Sequence, residues 1–235
     1  MRVIALDSTT RAGSVALVED DCVIDERAGD ASRSHAERLP VEIVDLAAAH
    51  GVALAEVDLF AVASGPGSFT GLRIGIATMQ GLAFVHGRRL VGVPALEALA
   101  HVAAAAERPG TLVAAWMDAH RRDVFAALYR VGGGAAFTAG RLDVVDDASV
   151  GDPAAVLARW GAQSCRPGVF VGDGATGFSA EIARAVPDAA IVSAMPLAGA
   201  IGRLAAAGAF DAVDPAAIRP LYVRRPDAEL AREKP

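Results

Sequence analysis

Residues 59–75 constrain this chain more than any other segment. Leu59-Phe60-Ala61-Val62-Ala63 is a continuous apolar run, closed by Ser64-Gly65-Pro66-Gly67 and followed by Ser68-Phe69-Thr70-Gly71-Leu72-Arg73-Ile74-Gly75. A run apolar on both faces suits a parallel strand covered by helices on both sides. The Gly-Pro-Gly turn ends it, and the spacing predicts a helix from about residue 71 to 86. Strand, turn and helix N-terminus together make a place where free amides can receive an anion. Two phosphate-binding templates fail here. Counted from Gly65, the sixth place of a dinucleotide fingerprint is Thr70 rather than glycine. A P-loop needs Gly-Lys before Ser or Thr, and no lysine is present in the segment. Phosphate binding and a purely structural loop both stay open on these residues.

The predicted helix carries Gly71, Gly75 and Gly81 beside Ile74, Ile76, Met79 and Leu82. A glycine inside a helix costs up to about 1 kcal/mol relative to alanine. Such a cost is tolerated where another backbone comes close. That backbone is either the chain's own sheet or a helix of a second subunit, and the residues alone do not choose.

The surrounding pattern is α/β. Short β-type runs at residues 3–6, 13–18 and 22–25, separated by polar turns, predict an antiparallel meander. Ser34-His35-Ala36-Glu37 has the form of a capping box. Leu39, Ile43, Leu46 and Ala47 follow at helical spacing, His50-Gly51 is a stop signal, and Pro40 predicts a kink or a late start. After a strand at residues 88–93 the pattern begins again. Helices are expected at 96–106, 180–185 and 197–209, and strands at 112–116, 124–129, 169–171 and 191–193. Two halves meeting near residues 92–96 give an N-terminal lobe over 1–94, a C-terminal lobe over 95–225, and a charged tail over 226–235 expected to fray.

Composition excludes several classes. The 235 residues hold 22 Lys and Arg against 28 acids, for a net charge of −6. No basic run exceeds two residues and aromatics are 5%, which argues against a stand-alone nucleic-acid binder. Cys22 and Cys165 are far apart with no C-x-x-C, so neither a disulfide framework nor a zinc knuckle is encoded. Two cysteines of this kind, with no stretch of about 18 apolar residues and no room for a leader before residue 3, predict a cytoplasmic protein with no membrane contact. No H-E-x-x-H or G-x-S-x-G occurs, and His35, His50, His86, His101 and His120 are scattered, so a protease is not encoded.

Seven blocks together closely resemble the bacterial TsaB (YeaZ) family, in family order across nearly the whole chain. They are Ile4-Ala5-Leu6-Asp7-Ser8-Thr9, Ser34-His35-Ala36-Glu37 with Leu39-Pro40, the Gly65–Gly75 block, residues 93–100, Met117-Asp118-Ala119-His120-Arg121, Gly172-Asp173-Gly174, and Pro220-Leu221-Tyr222-Val223-Arg224. The resemblance implies a two-lobed α/β fold shared with actin and sugar kinases (ribonuclease H-like), with mixed sheets flanked by helices. It also implies a non-catalytic subunit needed for threonylcarbamoyladenosine modification of tRNA. Such a subunit would bind a TsaD-like transferase, be joined by a TsaE-like ATPase, meet tRNA through the complex, and form a homodimer when its partner is absent.

On this reading Leu39, Ile43, Leu46, Gly71, Gly75, Ile76, Met79 and Leu82 form the partner interface. Gly65, Pro66, Gly67, Ser68, Phe69, Thr70 and Arg73 form its loop. Asp7, Ser8, Thr9, Gly172 and Gly174 occupy the places of a vestigial nucleotide site. Their plain alternatives are turn residues bonding their own backbone. No catalytic residue, metal or cofactor is expected, ATP with magnesium being possible for the fold but not expected for this chain. TsaD-like chains hold metal through H-x-x-x-H, whereas here His101 stands alone and the other place falls near Leu96 or Glu97. Asp118-Ala119-His120-Arg121-Arg122-Asp123 reads either as a salt-bridged turn or as a surface for partner or tRNA. The alternative function is an ATP-dependent phosphotransferase of the same superfamily acting on a small molecule.

Overall fold

The computed structural model describes residues 1–193 and 195–224. The expected frayed tail at 226–235 lies outside the described residues. In the first lobe, β1 (Arg2–Asp7), β2 (Ser14–Glu19) and β3 (Cys22–Ala28) form the antiparallel meander, followed by α1 (His35–Ala49), β4 (Leu59–Gly65), α2 (Phe69–Val85) and β5 (Arg89–Pro94). β4 enters beside β1 in parallel register, Val3 opposite Leu59 and Leu6 opposite Val62, and β5 continues parallel beside β4. The apolar run therefore lies at the centre of its sheet, as a strand buried on both faces must.

The second lobe repeats the plan. After α3 (Ala95–Ala104) come β6 (Leu112–Asp118), β7 (Val124–Val131), β8 (Leu142–Gly151), α4 (Pro153–Ala162), β9 (Val169–Val171), the short helices α5 (Asp173–Gly177) and α6 (Ser179–Ala185), and β10 (Ala190–Val192). Its sheet runs β10-β9-β6-β7-β8. The chain then returns to the first lobe: α7 (Ala198–Ala206) covers β1 and β2, and β11 (Ala212–Val213) pairs antiparallel with β5. The first sheet is thus β11-β5-β4-β1-β2-β3.

Three apolar clusters fill these layers. One joins the two lobes, packing Val3, Ala5 and Val18 with Ile201 and Leu204, and Leu96 with Val113 and Val171. A second lies beneath α1 and α2. The third holds Trp116, Trp160 and Phe170 in the second lobe.

Local expectations hold with several differences, the short α5 and β11 being two elements that the sequence reading did not contain. α1 runs through Pro40 without a late start. The proline leaves the Ala36 carbonyl without its helical partner, and both residues are exposed to water. β3 extends three residues past Asp25. β8 and α4 have no counterpart in the sequence reading.

Candidate functional site

A cleft of about 1130 Å³ opens between the lobes. Its walls come from the β1–β2 loop, the segment before α1, the start of α2, the β6–β7 turn and residues 221–224. Hydroxyls and cations face into it, among them Thr9, Thr10, Ser68, Thr70 and Arg33, with Asp118 and Asp173 on the opposite wall.

Of the residues expected at a vestigial nucleotide site, Thr9 lines this cleft and Asp7, Ser8, Gly172 and Gly174 do not. Asp7 is buried and turned back on its own loop: one carboxylate oxygen accepts the Thr9 amide at 2.8 Å and the Thr9 hydroxyl at 2.6 Å. Burial pushes the Asp7 carboxyl above its ordinary range, with the two Thr9 bonds opposing and the nearby Asp173 charge adding to the rise. This is the turn role of aspartate. Gly172 has φ +117, and a Cβ there would meet the Trp116 carbonyl oxygen at 2.1 Å. Gly174 is pressed in the same way on Met117. Both glycines let the β9–α5 turn lie directly on β6. Between them Asp173 accepts the amides of Asp118 at 3.0 Å and Gly174 at 2.8 Å.

Two of the three α2 glycines, Gly71 and Gly75, answer the question the sequence left open, whereas Gly81 is exposed with open space around it. Ser68 caps the helix by accepting the Gly71 amide at 3.2 Å. A Cβ on Gly67 would meet Thr9 at 2.5 Å, one on Gly71 the Ser8 carbonyl oxygen at 2.2 Å, and one on Gly75 the Ser8 hydroxyl at 2.0 Å. The approaching backbone is the chain's own β1–β2 loop. α1 grips the same loop from the other side. His35 faces the Thr10 carbonyl through Nε2 at 3.0 Å. A carbonyl only accepts, so the proton sits on Nε2, leaving Nδ1 to accept from Arg38 at 2.9 Å. Burial first, then the Arg38 charge, lowers the His35 pKa. Arg38 is 1% exposed, donates to the Arg11 and Ala12 carbonyls, and pairs with Glu42 at 2.6 Å. The Ser-His-Ala-Glu segment therefore fixes a loop, with Glu37 accepting the Ser34 amide at 3.0 Å.

The interface expectation needs a correction. Leu39, Ile43, Leu46 and Met79 are fully buried, Ile76 is 4% exposed, and all pack with Ile4, Leu6 and Phe60 of the chain's own sheet. Gly71 and Gly75 are occupied by Ser8, and Leu82 is half-buried against the same core. Apart from half-buried Leu82, these side chains are covered by the chain's own core, because the helical period marks a face without saying what covers it. The outward face is different: Val41 and Val44 on α1 are 58% and 48% exposed, and Phe84 and Val85 on α2 are 81% and 75%. α1 and α2 pack side by side.

At the cleft lip, Phe69 stacks on Tyr222 at 4.9 Å, and the Arg73 guanidinium lies 3.9 Å from the Phe69 ring while donating to the Tyr222 hydroxyl at 2.8 Å. Gly65 has φ +118 and faces the Leu221 carbonyl; Pro66, Gly67 and Thr70 line the cleft. Arg38, Phe84 and Val85 were not singled out by the sequence, and Tyr222 entered only as part of the 220–224 block with no role; Phe84-Val85, an aromatic–aliphatic pair at a helix end, was the available signal. The β6–β7 segment is a turn, with Asp118 accepting the His120 amide at 2.8 Å.

His101 is 1% exposed and stacks on Phe137 at 6.0 Å. Arg141 beside it donates to the Ala104 and Glu107 carbonyls, closing the end of α3. Of the two positions near which a second ligand was expected, Leu96 is buried in the core, and Glu97 is half-buried with its pKa raised by burial. Among the described residues no group of three or more His, Cys, Asp or Glu is placed to hold a metal. No described helix is long and apolar enough to cross a membrane.

Known proteins give this geometry a setting. The model of the family described as TsaD, tRNA N6-adenosine threonylcarbamoyltransferase, matches residues 28–195. The tRNA threonylcarbamoyladenosine biosynthesis protein TsaB of Escherichia coli (strain K12) is 36% identical over 130 residues, 55% of either chain, so the match spans about half of that relative's length. An uncharacterised protein of Mycobacterium tuberculosis (strain ATCC 25618 / H37Rv) is 32% identical over 233 residues, covering 97% of this chain and 93% of its own. YeaZ from Pseudomonas aeruginosa superposes with a TM-score of 0.72 at 30% identity, over 94% of this chain and 99% of that one. On these matches, which together run along its length, the chain belongs to the TsaB (YeaZ) family, which shares a family model with the TsaD transferases.

Proposed function

We propose that this chain is a non-catalytic subunit in the formation of threonylcarbamoyladenosine on tRNA, and that it acts by binding a TsaD-like transferase through the outward face of α1 and α2. The observation that carries the reading is that face itself. Val41, Val44, Phe84 and Val85 are exposed on two adjacent helices whose inner sides are already filled by the chain's own core. Large apolar side chains exposed on neighbouring helices mark a surface that a partner can cover. A transferase of the same family would present a matching helix pair, and a second copy of this chain would present the same by symmetry, as a homodimer formed in the absence of the transferase requires. A TsaE-like ATPase would join the pair, and tRNA would be met through it. Asp7, whose one oxygen is spent on Thr9, supports a role without phosphoryl transfer.

The test is transfer to tRNA reconstituted from TsaD, TsaE and threonylcarbamoyl-adenylate, with and without this chain. Modification is expected only when the chain is present. It should survive Asp7→Asn and fail with Phe84→Asp, a variant that changes an exposed side chain and leaves the core intact. Modification independent of the chain overturns the reading. Loss of activity in Asp7→Asn with Mg-ATP turnover in the unmodified chain moves the assignment to a phosphotransferase.

A further inference from the structure

The last described residues leave the lobe they rest on. Gln80 on α2 donates to the carbonyls of Pro215 at 2.8 Å and Ile218 at 3.2 Å. The Leu221 amide donates to the Ser64 carbonyl at 2.7 Å, at the end of β4. Its own carbonyl passes so near Gly65 that a Cβ there would lie 2.7 Å away. Tyr222 then stacks on Phe69 and takes the Arg73 hydrogen bond. All of these partners belong to the first lobe. Two residues later Arg224 donates to the Ala119 carbonyl at 2.8 Å and to the Asp123 carboxylate, both in the β6–β7 turn of the second lobe. Residues 221–224 also line the cleft, so this segment crosses its mouth.

Each end of that crossing is firmly held. On the first lobe a main-chain bond, an aromatic stack and a guanidinium bond act within two residues. On the second, Arg224 makes a charge-assisted contact with a turn in which His120, Arg121 and Arg122 have φ of 58, 56 and 68. Three successive non-glycine residues in the left-handed region persist only where surrounding contacts fix them, and Arg224 grips that turn at both ends. Elsewhere the lobes meet through the shared core, where α3 and α7 contribute Ala95, Ala98, Ala198 and Ala205. Leu96, Leu99, Ile201 and Leu204 of the same two helices lie in that core as well, and small sliding of packed helices is one of the ways in which two such layers move.

We propose that residues 221–224 are a latch that sets the opening of the interlobe cleft. With Arg224 on the β6–β7 turn the lobes stand at one separation. With that contact removed they move about the alanine-rich contact between α3 and α7. The proposal concerns the isolated chain and does not depend on any partner.

The two native cysteines provide the measurement, Cys22 on β3 of the first lobe and Cys165 beyond α4 in the second. Spin labels on both, in full-length chain diluted with unlabelled chain so that only intramolecular pairs are read, report the interlobe distance by pulsed electron paramagnetic resonance. The unmodified chain is expected to give one narrow distribution. Arg224→Ala should broaden or split it, and Asp123→Ala, which removes the acceptor of one Arg224 bond and leaves the one to the Ala119 carbonyl, should broaden it to a lesser degree. Adding Asp123→Ala to Arg224→Ala should change nothing further. Arg219→Ala, whose guanidinium bonds carbonyls of its own segment, should leave the distribution narrow. An unchanged single distance in both Arg224→Ala and Asp123→Ala overturns the latch. If Arg224→Ala fails to fold, Asp123→Ala decides alone.

Discussion

The Cβ that Gly75 lacks would lie 2.0 Å from the Ser8 hydroxyl oxygen. Gly75→Ala is therefore expected to lower stability by about 1–3 kcal/mol, the usual range for overfilling a packed site. Ser8→Gly in the same chain should recover much of that loss, because it removes both Ser8 atoms in the way. Gly71→Ala should not be recovered, since its obstacle is the Ser8 main-chain carbonyl. Urea denaturation of the single and double variants measures the coupling. Additive losses at Gly75 and Ser8 would show that the loop does not rest on the helix as described.

Acid should weaken the second lobe through His101. Burial, then the Arg141 charge, lowers its pKa from 6.5 to about 4. The unfolded chain takes up the proton near pH 6.5 while the native one resists it, so stability is complete above that pH and falls as the pH drops towards 4. The loss amounts to at most about 3 kcal/mol. His101→Phe keeps a ring against Phe137 and has no proton to bind. Melting temperatures of the two chains across this window should diverge, with the histidine form falling more steeply; parallel curves would refute the assignment.

Asp7 has the opposite sign. Its carboxyl is held above the ordinary range chiefly by burial, so the native state pays an increasing penalty as pH rises and the unfolded carboxyl ionises. Asp7→Asn keeps an oxygen for the two Thr9 bonds and carries no charge. It is expected to raise the melting temperature at neutral pH, with the gain shrinking towards pH 4. Calorimetry at the two pH values checks this, and a lower melting temperature at neutral pH would mean that the charge itself is needed.

What the sequence revealed, and what it hid, follows from the range of the contacts involved. Leu59 to Ala63 announces a central strand because both its faces are apolar, and Ser34 to Glu37 announces a helix start because the capping partners are three residues apart. β8 is an edge strand whose pairing with β7 shifts register at two places, so its polar and apolar residues never alternate cleanly. α4 carried a readable signal that was passed over: Asp152 caps it, accepting the Ala155 amide at 3.1 Å, with Pro153 in the first turn. The two sides of α2 are both apolar, Met79 inward and Phe84 outward, and no periodicity separates them. Arg38 and Arg224 bond to residues 26 and 101 positions away. Only the folded chain brings those partners together.

The start of α7 is held by side chains from the opposite end of the chain. Ser14 accepts the amides of Leu197 at 3.1 Å and Ala198 at 3.0 Å, and Glu26 accepts that of Gly199 at 2.7 Å. Gly202 then lies directly on Val18 and Ala5. During synthesis on a ribosome, β1 and β2 emerge before α7, and their α7 face waits, uncovered, while the 183 positions that separate Leu197 from Ser14 are translated. The first lobe is thus the earlier one to be made and the later one to be finished.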